Sequence, residues 1–342
     1  MRAASLAETL RQVLSAYGVE PEDIRDIRTG RINKHWRVVA GGRAYALRRY
    51  NAAATPRSIA YEHAMLAHLD ARGWPVAAAI VSRQGDRIVE RDERLFSLFP
   101  FLEGRPSPYN NVRYLRIKGR LLARLHTEMA LAPIEGQRPG FGRVWELDRP
   151  DAPRFPSFND LLRAFGAEHR REAAVMRAHR YACLRELSRL GYGELSDTFV
   201  HCDYHHDNLL FSRGELSGLL DFDLLHRDAR VVDIAWAIVL DCLEPPAHNA
   251  ISPKSVEAFV GGYHEASAMD ESERSLIVPL IRAALISGAA MRLRQWQSGP
   301  AKLREHAPRS LHRTADERLP AFEARRASLE GAVAAATEGG GT

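Results

Sequence analysis

The sequence predicts an α+β protein of two lobes, a small strand-rich N-terminal lobe and a larger, mostly helical C-terminal lobe. Three observations carry that reading. The first hundred residues change hydrophobic period several times, with two hairpin signals around one helix. After Gly104 almost every segment has helical spacing. A linker near residues 100–106 separates the two regimes. The predicted boundaries are 1–102 and 103–330, with 331–342 a disordered, Gly-ended tail. A length of 342 residues suits one large domain or two lobes.

Each element has its own signal. Residues 5–17 read as an amphipathic helix, and Glu8 argues against a signal peptide. "HWRVVAGGRAYALRRY", 35–50, reads as two strands around a Gly41-Gly42 turn. "SIAYEHAMLAHLDARG", 58–73, sets Ile59, Met65, Leu66 and Leu69 at helical spacing and stops at Gly73 and Pro75. "DRIVERDERLFSLFPFLEG", 86–104, is a second hairpin. "YLRIKGRLLARLHTEMA", 114–130, is an amphipathic helix, and 158–191 reads as one long helical stretch. A short β segment covers 197–223. Helix returns at 231–243, 253–268 and 271–297, and no internal repeat is found.

Composition narrows the class. The chain is 45% hydrophobic and 27% charged, as in ordinary globular proteins. Its net charge of +5 is spread along the chain without the clustered stripe of a nucleic-acid surface. Lysine occurs only at 34, 118, 254 and 302, so Arg carries most positive charge. Cys183, Cys202 and Cys242 form no CxxC pattern and no disulfide framework. No apolar run approaching ~20 residues is read, so no membrane span and a cytoplasmic protein are expected.

The densest polar stretch is "HCDYHHDN", 201–208, between apolar "TFV" and "LLF". A strand–turn–strand through Ser212–Gly214 brings Asp203 and Asn208 near Asp221, at the end of "LSGLLDF". Carboxylate and amide oxygens around one point suit magnesium, which also takes water and phosphates. Asp203 is then left to orient a hydroxyl or accept its proton. A zinc site from His201, Asp203, His205 and His206 is the competing reading; consecutive histidines on an extended loop point apart, and no HExxH spacing exists.

His201-x-Asp203-x-x-x-x-Asn208 followed by Asp221-Phe222-Asp223 resembles the aminoglycoside and choline kinase superfamily, which includes kinase-fold homoserine kinases. The resemblance covers roughly residues 25–300 and implies a protein-kinase-like fold. It implies Asp203 as catalytic base, Asn208 and Asp221 as magnesium ligands and His201 as a brace of the loop. It implies Asp233, in "VVDIAW", as a carboxylate that hydrogen-bonds back to the loop. His205 packs or lines the acceptor cleft, and Asp223 is a second metal ligand, an acceptor contact or a loop cap. Cys202 stands where relatives carry Gly and reads as a small filler.

The resemblance also implies a nucleotide side in the first lobe, for ATP or GTP with Mg2+. A phosphate loop falls in "TGRINKHWRVV", 29–39, with Gly30, Asn33 and Lys34 as its candidates. "YALR", 45–48, puts Arg48 where such kinases carry lysine, with Glu62 as its partner; Arg is not a neutral replacement for Lys. The hinge "LFPFLEG" offers the Pro100 carbonyl and the Leu102 N–H to adenine, with Phe99 behind.

The implied activity is ATP-dependent transfer of the γ-phosphate to a small-molecule hydroxyl, on a hydroxy-amino acid or amino alcohol. Arg292 and Arg294 in "LIRAALISGAAMRLRQW" bind an acceptor anion or face solvent. An antibiotic kinase is the alternative, with 269–273, Asp241 and Glu244 as its acidic cleft. A non-catalytic nucleotide-binding pseudokinase is the third reading, against which the intact Asp203, Asn208 and Asp221 stand. "LLHRDAR" leaves no room for a protein kinase's activation segment. The expected partners are nucleotide and alcohol only, in a monomer or homodimer.

Overall fold

The computed structural model of the chain describes residues 5–27, 33–143, 158–298 and 301–338. Its elements begin with α1 (Leu6–Ala16), β1 (Asp23–Ile27), β2 (Lys34–Ala40), β3 (Arg43–Arg49), α2 (Pro56–Ala71), β4 (Val89–Arg91), β5 (Arg94–Pro100) and β6 (Arg105–Pro106). Then come α3 (Val112–Ala130), α4 (Phe158–Phe165), α5 (Arg170–Arg189), β7 (Thr198–Val200), β8 (Leu209–Ser212), β9 (Glu215–Leu219) and β10 (His226–Asp228). The remaining helices are α6 (Arg230–Asp241), α7 (Pro253–Ala266), α8 (Glu271–Ser298), α9 (Ala301–Arg313) and α10 (Leu319–Glu338). They form two compact units.

Unit 1 comprises the chain up to Pro106 together with Ala132–Glu135 and Asn208–Leu220. Its five-stranded antiparallel sheet has the order β1-β2-β3-β5-β4. Gly41 and Gly42 both hold positive φ (56° and 71°), the demand of a two-residue hairpin turn. Leu10, Val13 and Leu14 of α1 pack with Trp36, Val38, Leu47, Phe96 and Leu98 to form the core. α2 starts on a Thr55–Ser58 capping box with Pro56 in its first turn. Strand β1 was not expected: "DIRDI" carries three charges in five residues, which suits an edge strand but gives no apolar alternation.

A second sheet of this unit, β6-β8-β9, changes the expected boundary. Residues 208–220 were assigned to the helical lobe and belong instead with the strand-rich unit. Gly104 ties them in. A Cβ there would stand 2.4 Å from Ser217 Oγ and 2.8 Å from Leu210 Cβ, and Ser217 Oγ donates to the Glu103 carbonyl at 2.9 Å.

Unit 2 comprises Ser107–Leu131, Gly136–Asp207 and the chain from Asp221 onward. α3 and α7 approach through their backbones: a Cβ on Gly119 would lie 2.1 Å from the Phe259 carbonyl oxygen, and one on Gly262 2.1 Å from that of Arg116. The stretch 158–191 is two helices rather than one, broken between Phe165 and Arg170. The expected disordered tail is corrected as far as residue 338. α10 continues to Glu338 and buries Leu329, Ala332, Val333 and Thr337; residues 339–342 lie outside the described ones. Contrary to the expectation of no such run, the α8 span Glu271–Arg294 is apolar and long enough to cross a membrane, with mean hydropathy 1.7. Its most apolar window is 83% buried in the protein, the position of a core helix.

Candidate active site

In unit 1, β3 and α2 bring Arg48 and Glu62 together. Arg48 Nη1 lies 2.8 Å from Glu62 Oε1, and Glu62 is buried. Arg48 Nε donates to His35 Nε2 at 3.0 Å, and the guanidinium lies over the rings of Tyr50 and Phe99. Phe99 therefore backs the cation directly. The contacts with Glu62, His35, Tyr50 and Phe99 fix the guanidinium in one orientation. Arg48→Lys is expected to lower the unfolding free energy by about 1 kcal/mol, because lysine reaches Glu62 but forfeits His35. Urea unfolding measures it; an unchanged midpoint would show the His35 bond contributes nothing.

Gly30 lies outside the described residues. Asn33 is buried, and its Oδ1 accepts from Asn51 N–H (3.0 Å) and Asn51 Nδ2 (3.2 Å), so its side chain braces the β3–α2 connection. Lys34 is exposed at the start of β2, opposite Arg49. At the hinge, the Leu98 carbonyl accepts from Ile80 N–H (2.8 Å), and Phe101 N–H donates to the Ala44 carbonyl (3.1 Å). Strand alternation then turns the Pro100 carbonyl to the edge away from β3, where an adenine amine would need an acceptor. Leu102 packs against Gly218.

In unit 2, a buried carboxylate holds the start of the loop after β7. Asp233 of α6 accepts from His201 N–H at 2.6 Å (Oδ2) and from Cys202 N–H at 2.8 Å (Oδ1). His126 Nε2 bonds Asp233 Oδ2 at 3.0 Å, and His126 Nδ1 bonds Tyr263 Oη at 2.7 Å. Burial alone would raise the Asp233 pKa; the bonds from His126 and His201 overcome it and hold it below the usual carboxylate range. Cys202 sits at φ 56°, a left-handed conformation natural to glycine, and burial pushes its thiol pKa well up, so it is no nucleophile. His201 is fully buried, meets the Phe222 ring in a tilted contact at 4.6 Å and accepts the Asp203 N–H on Nδ1 at 3.2 Å.

Asp203 is the partly exposed carboxylate of this loop. His205 Nε2 stands 3.5 Å from Asp203 Oδ1. Burial works to lower the His205 pKa, but the hydrogen bond and charge of Asp203 raise it above the ordinary value. His205 and His206 do not point apart as expected: their rings are 5.5 Å apart, and with Asp207 they set ligand atoms within 4.8 Å of one another. His206 is nevertheless committed to Asp241, with Nδ1 at 2.8 Å and its N–H at 3.0 Å from Oδ1. The other oxygen of Asp241 takes Lys118 Nζ at 2.7 Å, with both side chains buried. Asp241 is thus no part of an open acidic cleft. Glu244 pairs with Arg325, Glu273 with Arg230, and Asp270 bonds the Ser272 hydroxyl and Glu273 N–H at the start of α8.

Asp221 opens a 3-10 turn over Phe222–Leu224 from φ 61°, ψ 69°, with Oδ1 buried. Arg138, which sequence reasoning missed, holds that turn by donating from Nη1 to the carbonyls of Phe222 (2.9 Å), Asp223 (2.7 Å) and Leu225 (3.3 Å). Asp223 is half-buried in the turn. Asn208 ends the loop; its carbonyl accepts Leu220 N–H at 2.9 Å, which fixes the residue before Asp221. Amide and carboxylate oxygens are the hard donors that a magnesium-sized cation takes. Arg292 and Arg294 are half-buried on α8, not on an open surface, and burial lowers the Arg294 pKa.

The arrangement of strands, helices and loop is the protein-kinase-like fold. A microcompartment-associated aminopropanol kinase matches 94% of this chain and 98% of its own at TM-score 0.71 and 20% identity. Amicoumacin kinase, in complex with AMP-PNP, Ca2+ and Ami, matches 92% and 94% at TM-score 0.68 and 16% identity. Residues 23–275 match the phosphotransferase enzyme family, and the chain belongs to it. Homoserine kinase of Zymomonas mobilis is 25% identical over 277 residues, 81% of this chain and 82% of its own length. That of Nitrobacter winogradskyi is 25% identical over 296 residues, 86% of each. The protein is a small-molecule kinase, a phosphotransferase with an alcohol as acceptor.

Proposed function

We propose that the protein transfers the γ-phosphate of ATP to the hydroxyl of a hydroxy-amino acid or amino alcohol, with homoserine the first candidate. The observation that carries the reading is the accessible Asp203 carboxylate on a loop whose N–H groups are pinned by buried Asp233. Likeness to homoserine kinases over four-fifths of the chain supports the acceptor class.

In the reaction the acceptor oxygen forms a bond to the γ-phosphorus while the bond from that phosphorus to the β–γ bridging oxygen breaks. ADP leaves with the bridging oxygen's electron pair, and the hydroxyl proton passes to an Asp203 oxygen. Arg48 orients the triphosphate, and the Pro100 carbonyl and Leu102 N–H bind adenine. Asn208 and Asp221 hold the magnesium ion, which when bound neutralises triphosphate charge. The involvement of the local acids in ion pairs and helix capping weighs against an aminoglycoside acceptor, which would need them free.

ATP- and GTP-dependent turnover with magnesium, over a panel of hydroxylated amino acids, amino alcohols and aminoglycosides, tests the reading. Turnover is expected with the first two classes. Turnover with aminoglycosides alone would replace the acceptor, and tight nucleotide binding without turnover would leave a pseudokinase.

A further inference from the structure

Two imidazoles and a carboxylate meet in unit 2, on elements that the kinase reading does not use. His169 is the N-cap residue of α5, and Glu172 stands in its first turn. Residues three apart at a helix start share a face. His312 comes from the last turn of α9. Each of the three side chains offers one ligand atom, and these atoms lie within 4.8 Å of one another. Glu172 is buried, and the other two are half-buried.

The spacing suits a small transition-metal ion. Bonds of about 2.0–2.1 Å to imidazole nitrogen and carboxylate oxygen set tetrahedral donors roughly 3.3 Å apart. His312 Nδ1 and Glu172 Oε1 are already at 3.1 Å, across 140 residues of chain. The third donor is held in readiness. His169 makes no side-chain cap bond to α5 and, among the described residues, its imidazole makes no other hydrogen bond. Its ring stacks instead on buried Phe165, at 4.3 Å and 25°, and meets the His312 ring edge-on at 4.9 Å. A turn of that ring toward Glu172 therefore breaks no hydrogen bond among the described residues.

The surroundings agree with such a site. Phe165 also meets the rings of His312 and Trp296, at 6.5 and 5.5 Å, so aromatic carbon backs the two imidazoles. An apolar shell of this kind limits solvent access to a metal. The one competing cation in contact with Glu172 is Arg171, at 3.3 Å, which is 68% exposed and pairs also with Asp316 of the turn after α9. The other His-containing donor group among the described residues is that of His205, His206 and Asp207, where His206 is already committed to Asp241.

We propose that His169, Glu172 and His312 form a zinc-class metal site that bridges α5 and α9. Two imidazoles with one carboxylate suit Zn2+, with water in the fourth position, and not the hard Mg2+ of phosphoryl transfer.

The test is calorimetric titration of the full-length protein with Zn2+, with magnesium in excess. One equivalent is expected to bind, with a dissociation constant of about 10 µM or tighter. His169→Gln is expected to weaken it by at least about 100-fold, beyond the range seen for losing an outer-shell partner. No saturable binding in that range, or a smaller loss in His169→Gln, overturns the proposal. So does loss of binding in His205→Gln with His169→Gln unaffected, which would move the ion to the catalytic loop. Glu172→Gln, which keeps the side-chain shape, carries the same comparison if His169→Gln fails to fold. Binding is read without turnover, so a failure of the kinase reading leaves this test intact.

Discussion

Asp203→Asn is expected to lower kcat roughly 10²–10⁴-fold, the usual range for losing a positioned general base. The amide keeps the shape of the side chain and leaves the backbone contacts of Asp203 in place, including the N–H bond to His201 Nδ1. Because the carboxylate is partly exposed, stability should move by no more than about 0.5 kcal/mol. A second readout separates loss of the base from a disturbed loop. His205 has its pKa raised by Asp203, against the lowering effect of burial. In the variant that support is gone, so the His205 titration followed by NMR should move down. Turnover within threefold of wild type would remove Asp203 from the mechanism.

Asp233→Ala should strike stability instead. The buried carboxylate accepts from two loop N–H groups and from His126. Stranding the two N–H groups costs roughly 2–6 kcal/mol, at about 1–3 each, enough to threaten the fold. Asp233→Asn keeps one acceptor oxygen and should fall between. The pH dependence has a definite sign. The folded pKa of Asp233 is depressed, so its contribution is fully present above the unfolded value of about 3.9 and is lost as pH falls through the lower folded value. Urea unfolding at several pH values should show a flatter acid limb in Asp233→Asn than in wild type. An identical limb would mean that other carboxylates set the acid limit.

What the sequence disclosed, and what it hid, follows the range of each interaction. Hairpin turns at Gly41-Gly42, the α2 spacing and the His201–Asn208 loop are local patterns, written in consecutive residues. Arg48 and Glu62 are 14 residues apart and were found through a motif frame. Lys118 and Asp241 are 123 residues apart, and Arg138 reaches Phe222 across 84. No periodicity reports such pairs, so Asp241 was assigned to a cleft although it is a buried, neutralised anchor. The join of 208–220 to the first unit was missed for the same reason: Ser217 meets Glu103 over 114 residues.

The backbone-to-backbone seam at Gly119 and Gly262 limits how this protein can change. α3 supplies Lys118 and His126, and α7 supplies Tyr263, all of which hold the loop through Asp241 or Asp233. A side chain at either glycine would meet a carbonyl that has no rotamer to retreat into, so a laboratory evolution library should find both positions closed.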